Sequence, residues 1–121
     1  MPGRLTTHVL DTTQGCPAAN MTIQLWRIDP TKGPLCLKTT HTNAHGRTEE
    51  ALLADEEMIA GIYELLFFVG AYFAGQPLAT KLPEPLFLDQ VPIRFGIADP
   101  QAHYHVPLLV SPWAYSTYRG S

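Results

Sequence analysis

Charge is scarce in this chain. Asp, Glu, Lys and Arg make up 16% of its 121 residues, against the quarter usual for soluble proteins. The eight Lys and Arg are scattered, so no basic stripe offers itself to a phosphate backbone and no nucleic-acid partner is expected. The balance is −3, with a pI near 5.9. Cysteine is scarcer still. Cys16 and Cys36 stand alone, in no CxxC spacing, and two thiols cannot frame a disulfide scaffold, so both are read as free. No apolar run reaches membrane-spanning length, and Met1-Pro2-Gly3-Arg4 leads straight into an alternating segment instead of a signal-peptide core. No membrane partner and a cytoplasmic location are therefore expected. Internal repeats and low-complexity tracts are also missing.

Apolar material is plentiful. Hydrophobic residues are 45% of the chain, enough for a real core in one domain spanning residues 1–121 but not for a second. A surface short of charge suggests that part of it is covered, and self-association is the ordinary cause.

The chain reads as short strands. Leu5, Thr7, Val9 and Asp11 alternate with Thr6, His8 and Leu10, and Met21 to Ile28 alternates again. Asp29-Pro30-Thr31-Lys32-Gly33-Pro34 is strong turn chemistry, after which a third strand runs from Leu35 to about Asn43. Thr48 to Met58 favours a helix on propensity alone. Gly61 to Phe68 is a strand by its aromatic and β-branched content, and Phe87 to Ile97 another, broken by Pro92. About seven or eight strands and eleven prolines indicate an all-β sandwich.

The last segment is the most informative. In HYHVPLLVSPWAYSTYRGS, two apolar runs flank the Ser111-Pro112-Trp113-Ala114 break, as in an antiparallel hairpin. If Val110 faces Tyr115, the same register lays His105 beside Gly120 and points Tyr118 to the face of His105. A slip of one residue would present Arg119 instead. Two aromatics and a guanidinium so close to Ser121 suggest a built-in segment rather than a frayed one.

This segment resembles the C-terminal signature of the 5-hydroxyisourate hydrolases, the transthyretin-related proteins of urate breakdown. Leu5-Thr6-Thr7-His8-Val9-Leu10-Asp11, Thr42-Asn43-Ala44-His45-Gly46-Arg47 and Pro92-Ile93-Arg94-Phe95-Gly96-Ile97 extend the likeness over nearly the whole chain. It implies a transthyretin-like two-sheet sandwich with one short helix, near Val69 to Gln76, and a short strand and loop where propensity favours a helix at Thr48 to Met58. It also implies a homotetramer. The reaction implied is hydrolysis of 5-hydroxyisourate to 2-oxo-4-hydroxy-4-carboxy-5-ureidoimidazoline.

The resemblance assigns acid–base catalysis to His8 and His105, which taken alone are ordinary strand histidines. It gives anion binding to Arg47, otherwise a solvated turn residue, and substrate positioning to Tyr118 and Ser121. The terminal carboxylate of Ser121 is a further candidate for orienting a histidine. Arg119 is expected to fix the chain by ion-pair or hydrogen-bond contacts. Where the family turn usually has Asp, this chain has His45. His103 and His105 have the spacing with which two imidazoles hold a metal on one strand face, and a third ligand would have to come from His8, His41 or His45. The resemblance instead implies chemistry with no metal or cofactor. The rival expectation is a carrier, since the same sandwich in transthyretin binds thyroid hormone, but the polar equipment of His8, Arg47 and His105 suits catalysis better.

Overall fold

The computed structural model describes residues 2–78 and 80–121, and in it two sheets share one core. The first has the order β2 (Cys16–Pro17), β1 (Arg4–Asp11), β8 (His103–Val110) and β9 (Tyr115–Thr117), with β5 (Leu53–Ala54) also paired to β1. The second runs β4 (Gly33–His41), β3 (Thr22–Asp29), β6 (Gly61–Phe67) and β7 (Val91–Ile97). One short helix, α1 (Val69–Ala74), follows β6. This is the expected sandwich.

Alternation sorts the two faces. On β1, Leu5, Thr7, Val9 and Asp11 are buried while Thr6, His8 and Leu10 are only half-buried, because successive side chains on a strand point to opposite faces. Ile23 and Leu25 on β3, Tyr63, Leu65 and Phe67 on β6 and Leu108 on β8 complete the interior. Truncating any one of these to Ala would cost about 2–5 kcal/mol.

Two segments depart from their local signals. Thr48 to Met58 forms no α-helix. It yields β5 and a 3₁₀ turn at Asp55–Glu57, because Leu52 and Leu53 are buried in the core and the Leu52 N–H bonds the Leu5 carbonyl at 2.8 Å. Tertiary burial outweighs a per-residue helix preference worth tenths of a kcal/mol. Pro92, expected to break a strand from Phe87 to Ile97, lies inside β7, which begins only at Val91. β7 is an edge strand in the described sheet, where a missing N–H is tolerated.

β1 and β8 run parallel, an arrangement that no local pattern indicated, and they pair along eight positions from Arg4↔His103 to Asp11↔Val110. At the far end of β1 the fully buried Asp11 is satisfied from three sides. Its Oδ1 accepts the N–H groups of Thr13 and Gln14 at 2.9 and 3.0 Å, and its Oδ2 accepts the Gln14 amide and the Tyr72 hydroxyl, both at 2.8 Å. Burial, and then Asp11 itself, push the Tyr72 phenol pKa upward, so it remains a donor. Tyr72 thereby ties α1 to β1. Replacing it by Phe is expected to lower unfolding free energy by about 1–3 kcal/mol, measured by urea denaturation. Unchanged stability would mean that the Asp11 turn holds without α1.

Candidate active site

The parallel register of β1 and β8 decides what meets on the outward face of the first sheet. Thr6 lies opposite His105, and His8 opposite Pro107. Residues two apart on a strand share a face, so Thr6, His8, His103 and His105 all project from the same side. The Thr6 hydroxyl is 2.8 Å from His105 Nδ1 and 3.0 Å from His103 Nε2.

Three segments occupy the other edge of β1. β2 pairs at Leu10 and Asp11, and β5 at Arg4 and Leu5. Between them the turn at residues 43–47 docks through the Val9 N–H, which donates to the Gly46 carbonyl at 2.8 Å. Gly46 has φ +76°, and a Cβ there would lie 2.4 Å from the Val9 carbonyl oxygen and 3.2 Å from His8 Cδ2. Only glycine combines that left-handed conformation with so close an approach. Asn43 organises the turn. Its Oδ1 accepts the N–H groups of His45 and Arg47 at 2.9 and 3.2 Å, and its own N–H donates to the Arg47 carbonyl at 2.7 Å.

The Arg47 backbone is thereby fixed, and the residue stands between two adjoining hollows. One, of about 410 Å³, is bordered by Thr6, Arg47, Glu50, His103, His105 and Ser121 among others. The second, of about 440 Å³, is bordered by His8, Asn43, His45 and Arg47. Arg47 and Thr48 border both.

The terminal hairpin has the register expected from the sequence. Val110 pairs with Tyr115, Leu109 with Ser116 and Leu108 with Thr117, and an isolated bridge joins His105 to Gly120. The Gly120 N–H donates to the His105 carbonyl at 2.7 Å, and the imidazole packs so closely that a Cβ at Gly120 would lie 2.6 Å from its Cδ2. Arg119 turns back over the sheet. Its guanidinium carbon is 4.2 Å from the Tyr104 ring centroid and it donates to the His103 carbonyl at 3.2 Å. Tyr118 is 59% exposed and borders neither hollow.

Burial, and next the Arg47 charge, hold the His8 pKa below the ordinary histidine value, against a smaller opposing effect of the His45 backbone. The same two causes lower His105, with His103 and His8 adding to them. Both imidazoles are thus neutral at neutral pH. Among the described residues, no three His, Cys, Asp or Glu side chains are arranged to share a metal ion.

Asn43 and Thr6 are the structural surprises. Asn43 carries a sequence signal, an Asx side chain just before a glycine turn. Thr6 carries none, because its partners lie almost a hundred residues away.

The family model described as HIUase/Transthyretin matches residues 5–120. A 5-hydroxyisourate hydrolase of Mesorhizobium japonicum is 61% identical over 98% of this chain and 93% of its own. Among solved structures, (S)-allantoin synthase superposes with a TM-score of 0.91 at 49% identity, covering 99% of this chain but only 44% of that one. Sea bream transthyretin in complex with thyroxine superposes at 0.83 with 27% identity, covering 97% and 94%. On the family match and on this identity over nearly its whole length, the chain belongs to the HIUase/transthyretin family.

Proposed function

We propose that this chain hydrolyses 5-hydroxyisourate to 2-oxo-4-hydroxy-4-carboxy-5-ureidoimidazoline, in the breakdown of urate. The supporting observation is the pair of imidazoles, His8 and His105, held toward the neutral form by burial and by Arg47, which borders the hollows of both, in a chain 61% identical to a 5-hydroxyisourate hydrolase. The reaction adds the oxygen of water to a ring carbonyl, breaks the adjoining C–N bond and delivers a proton to the departing nitrogen. It turns a neutral carbonyl into a carboxylate. Arg47 is suited to that gain of negative charge, since its planar fork binds carboxylates in pairs of hydrogen bonds.

Water activation is assigned to the His8/His105 pair, a contribution of about 10²–10⁴ in rate. Ser121, on the rim of the larger hollow, is assigned to positioning. Tyr118 shares that assignment because the Leu109↔Ser116 and His105↔Gly120 pairs carry it to the same face as His105.

A carrier role like that of sea bream transthyretin, solved with thyroxine, fits less well, since this face carries His8 and His105, with Arg47 at its flank, beside its apolar Leu10 and Leu109. The homotetramer belongs to the proposal too. Phe87, Trp113 and Tyr115 are exposed near the β9 edge, and Phe87 stacks on Trp113 at 6.0 Å between centroids, apolar area that a second copy would cover. So does the cytoplasmic location, with which the two exposed free thiols agree.

Purified protein added to freshly generated 5-hydroxyisourate should accelerate the decay of its ultraviolet absorbance above the spontaneous rate. No acceleration would overturn the reading. Arg47→Lys keeps the charge but loses the fork, and kcat/KM is expected to fall by about 10² or more. Near-normal turnover would remove Arg47 from the site. Because burial and Arg47 lower both histidines, the neutral base persists as pH falls. The acid limb of kcat/KM is expected below the ordinary histidine value of about 6.5; a limb at or above that value would mean a different titrating group. Gly120→Ala would press a methyl on His105 and is expected to cost about tenfold or more in activity, with the melting temperature little changed. Wild-type activity in that variant would show that the position of His105 is not critical.

A further inference from the structure

We propose that Thr6 is a positioning residue that clamps His105 through Nδ1 and ties its proton to His103, making exposed His103 the port through which the site exchanges protons with water. The proposal rests on the reading that His105 performs acid–base work.

The geometry is a bridge of three groups, with the Thr6 hydroxyl within hydrogen-bond distance of both ring nitrogens, 2.8 Å from His105 Nδ1 and 3.0 Å from His103 Nε2. A hydroxyl has one hydrogen and two lone pairs. It can satisfy one bare ring nitrogen but not two, so the tautomers of the two histidines depend on each other. If His105 Nδ1 carries hydrogen and donates to Thr6, the hydroxyl donates to His103 Nε2, and His105 Nε2 is a bare base. If His103 Nε2 carries the hydrogen, the hydroxyl donates to His105 Nδ1, and His105 Nε2–H is an acid.

The protons balance through a turnover. As His105 Nε2 takes a proton from the attacking water, its Nδ1 proton passes to the Thr6 oxygen and the Thr6 proton passes to His103 Nε2. His103 becomes the cation. As His105 Nε2–H protonates the departing nitrogen, the two transfers reverse and both rings return to neutral. One proton of water has moved to the departing nitrogen; the second, released as the new carboxyl ionises to carboxylate, is taken up by His105 Nε2 and passes through Thr6 to His103 and out to solvent.

Electrostatics explains why the charge belongs on His103. A cation on His105 is opposed by burial, by Arg47, and then by His103 and His8. His103 is exposed to solvent. Arg4 pairs with it across the strands and Arg119 donates to its carbonyl, while Glu49 and Glu50 border the same hollow. Sequence spacing alone suggested a metal pair in His103 and His105; the hydroxyl between them suggests a relay.

A double-mutant cycle tests the bridge. Nitrogen-15 shifts of the His105 ring, which report its tautomer, are recorded without substrate in wild type, His103→Leu, Thr6→Val and the double variant. We expect His103→Leu to change the His105 shifts in the Thr6 background and to change nothing once Thr6 is Val; Thr6→Ser should behave as wild type. Equal effects of His103→Leu in both backgrounds would overturn the proposal. In turnover, Thr6→Val should lower kcat about three- to tenfold with KM little changed, Thr6→Ser should restore it, and His103→Leu should recover kcat as small-molecule buffer is added. Buffer-independent turnover in His103→Leu would overturn the port. Since His103 is exposed, its replacement tests the idea even if Thr6→Val folds poorly. The spectroscopic arm decides the bridge even if wild type leaves 5-hydroxyisourate untouched, an outcome that would instead overturn the hydrolase reading.

Discussion

The parallel pairing of β1 with β8 is the constraint on which the site depends. Eight matched positions, from Arg4↔His103 to Asp11↔Val110, fix which side chains share the outward face. A shift by one residue would move a strand's whole set of side chains to the other face, sending His8 into the core and Thr7 outward. The register is secured from the inside. Leu5, Val9 and Leu108 are fully buried, the Thr7 hydroxyl donates to the Val106 carbonyl at 2.7 Å, and Asp11 anchors the far end through the Thr13–Gln14 turn and Tyr72. Core packing thus sets the alignment of an outward polar group that contributes little to stability.

A second layer holds the two flanks of that face. On the β1 side, Gly46 lets the turn approach the strand closely enough to bond Val9 and crowd His8, while Asn43 holds the turn that carries Arg47. On the β8 side, Gly120 occupies the space in which any Cβ would strike His105. Each histidine is therefore packed against a glycine contributed by a different segment. The same arrangement brings Arg47 near both rings, and its charge joins burial in keeping them neutral. The guanidinium has two effects in one place: it attracts negative charge and keeps the neighbouring bases unprotonated.

Much of this was legible in the residue order. Alternation placed Thr6 and His8 opposite Leu5 and Thr7, and the Ser111-Pro112-Trp113-Ala114 break fixed a hairpin register that the Leu108↔Thr117 and His105↔Gly120 pairs reproduce. Local preference failed where long-range burial competes with it, at Leu52 and Leu53, and where an edge position tolerates a residue that a central strand would reject, at Pro92. The β1–β8 pairing could not be read locally at all, because parallel strands need not be joined by a short turn. With it went the role of Thr6, which depends on who stands opposite rather than on its own neighbours. Tyr118 faces the right side by register yet borders neither hollow, since facing a side and reaching a site are different conditions.

The likeness to thyroxine-bound sea bream transthyretin, at a TM-score of 0.83, shows how little of the function resides in the sandwich itself. A fold hosts a function through the side chains it displays. Inward positions of β1 and β8 must stay apolar or hydrogen-bonded to preserve the core, so they leave little freedom for chemistry. Outward positions are under no such demand, and substituting His8, Thr6 or His105 removes polar groups without opening a cavity between the sheets. Outward residues can therefore change from a binding set to a hydrolytic one at small cost in stability, provided that the flanking glycines still admit the imidazoles. Gly120 is in this sense as diagnostic of the chemistry as the histidine it packs against, because a Cβ there would meet the His105 ring, whereas one at Gly46 would first strike the Val9 carbonyl and disturb the turn that carries Arg47.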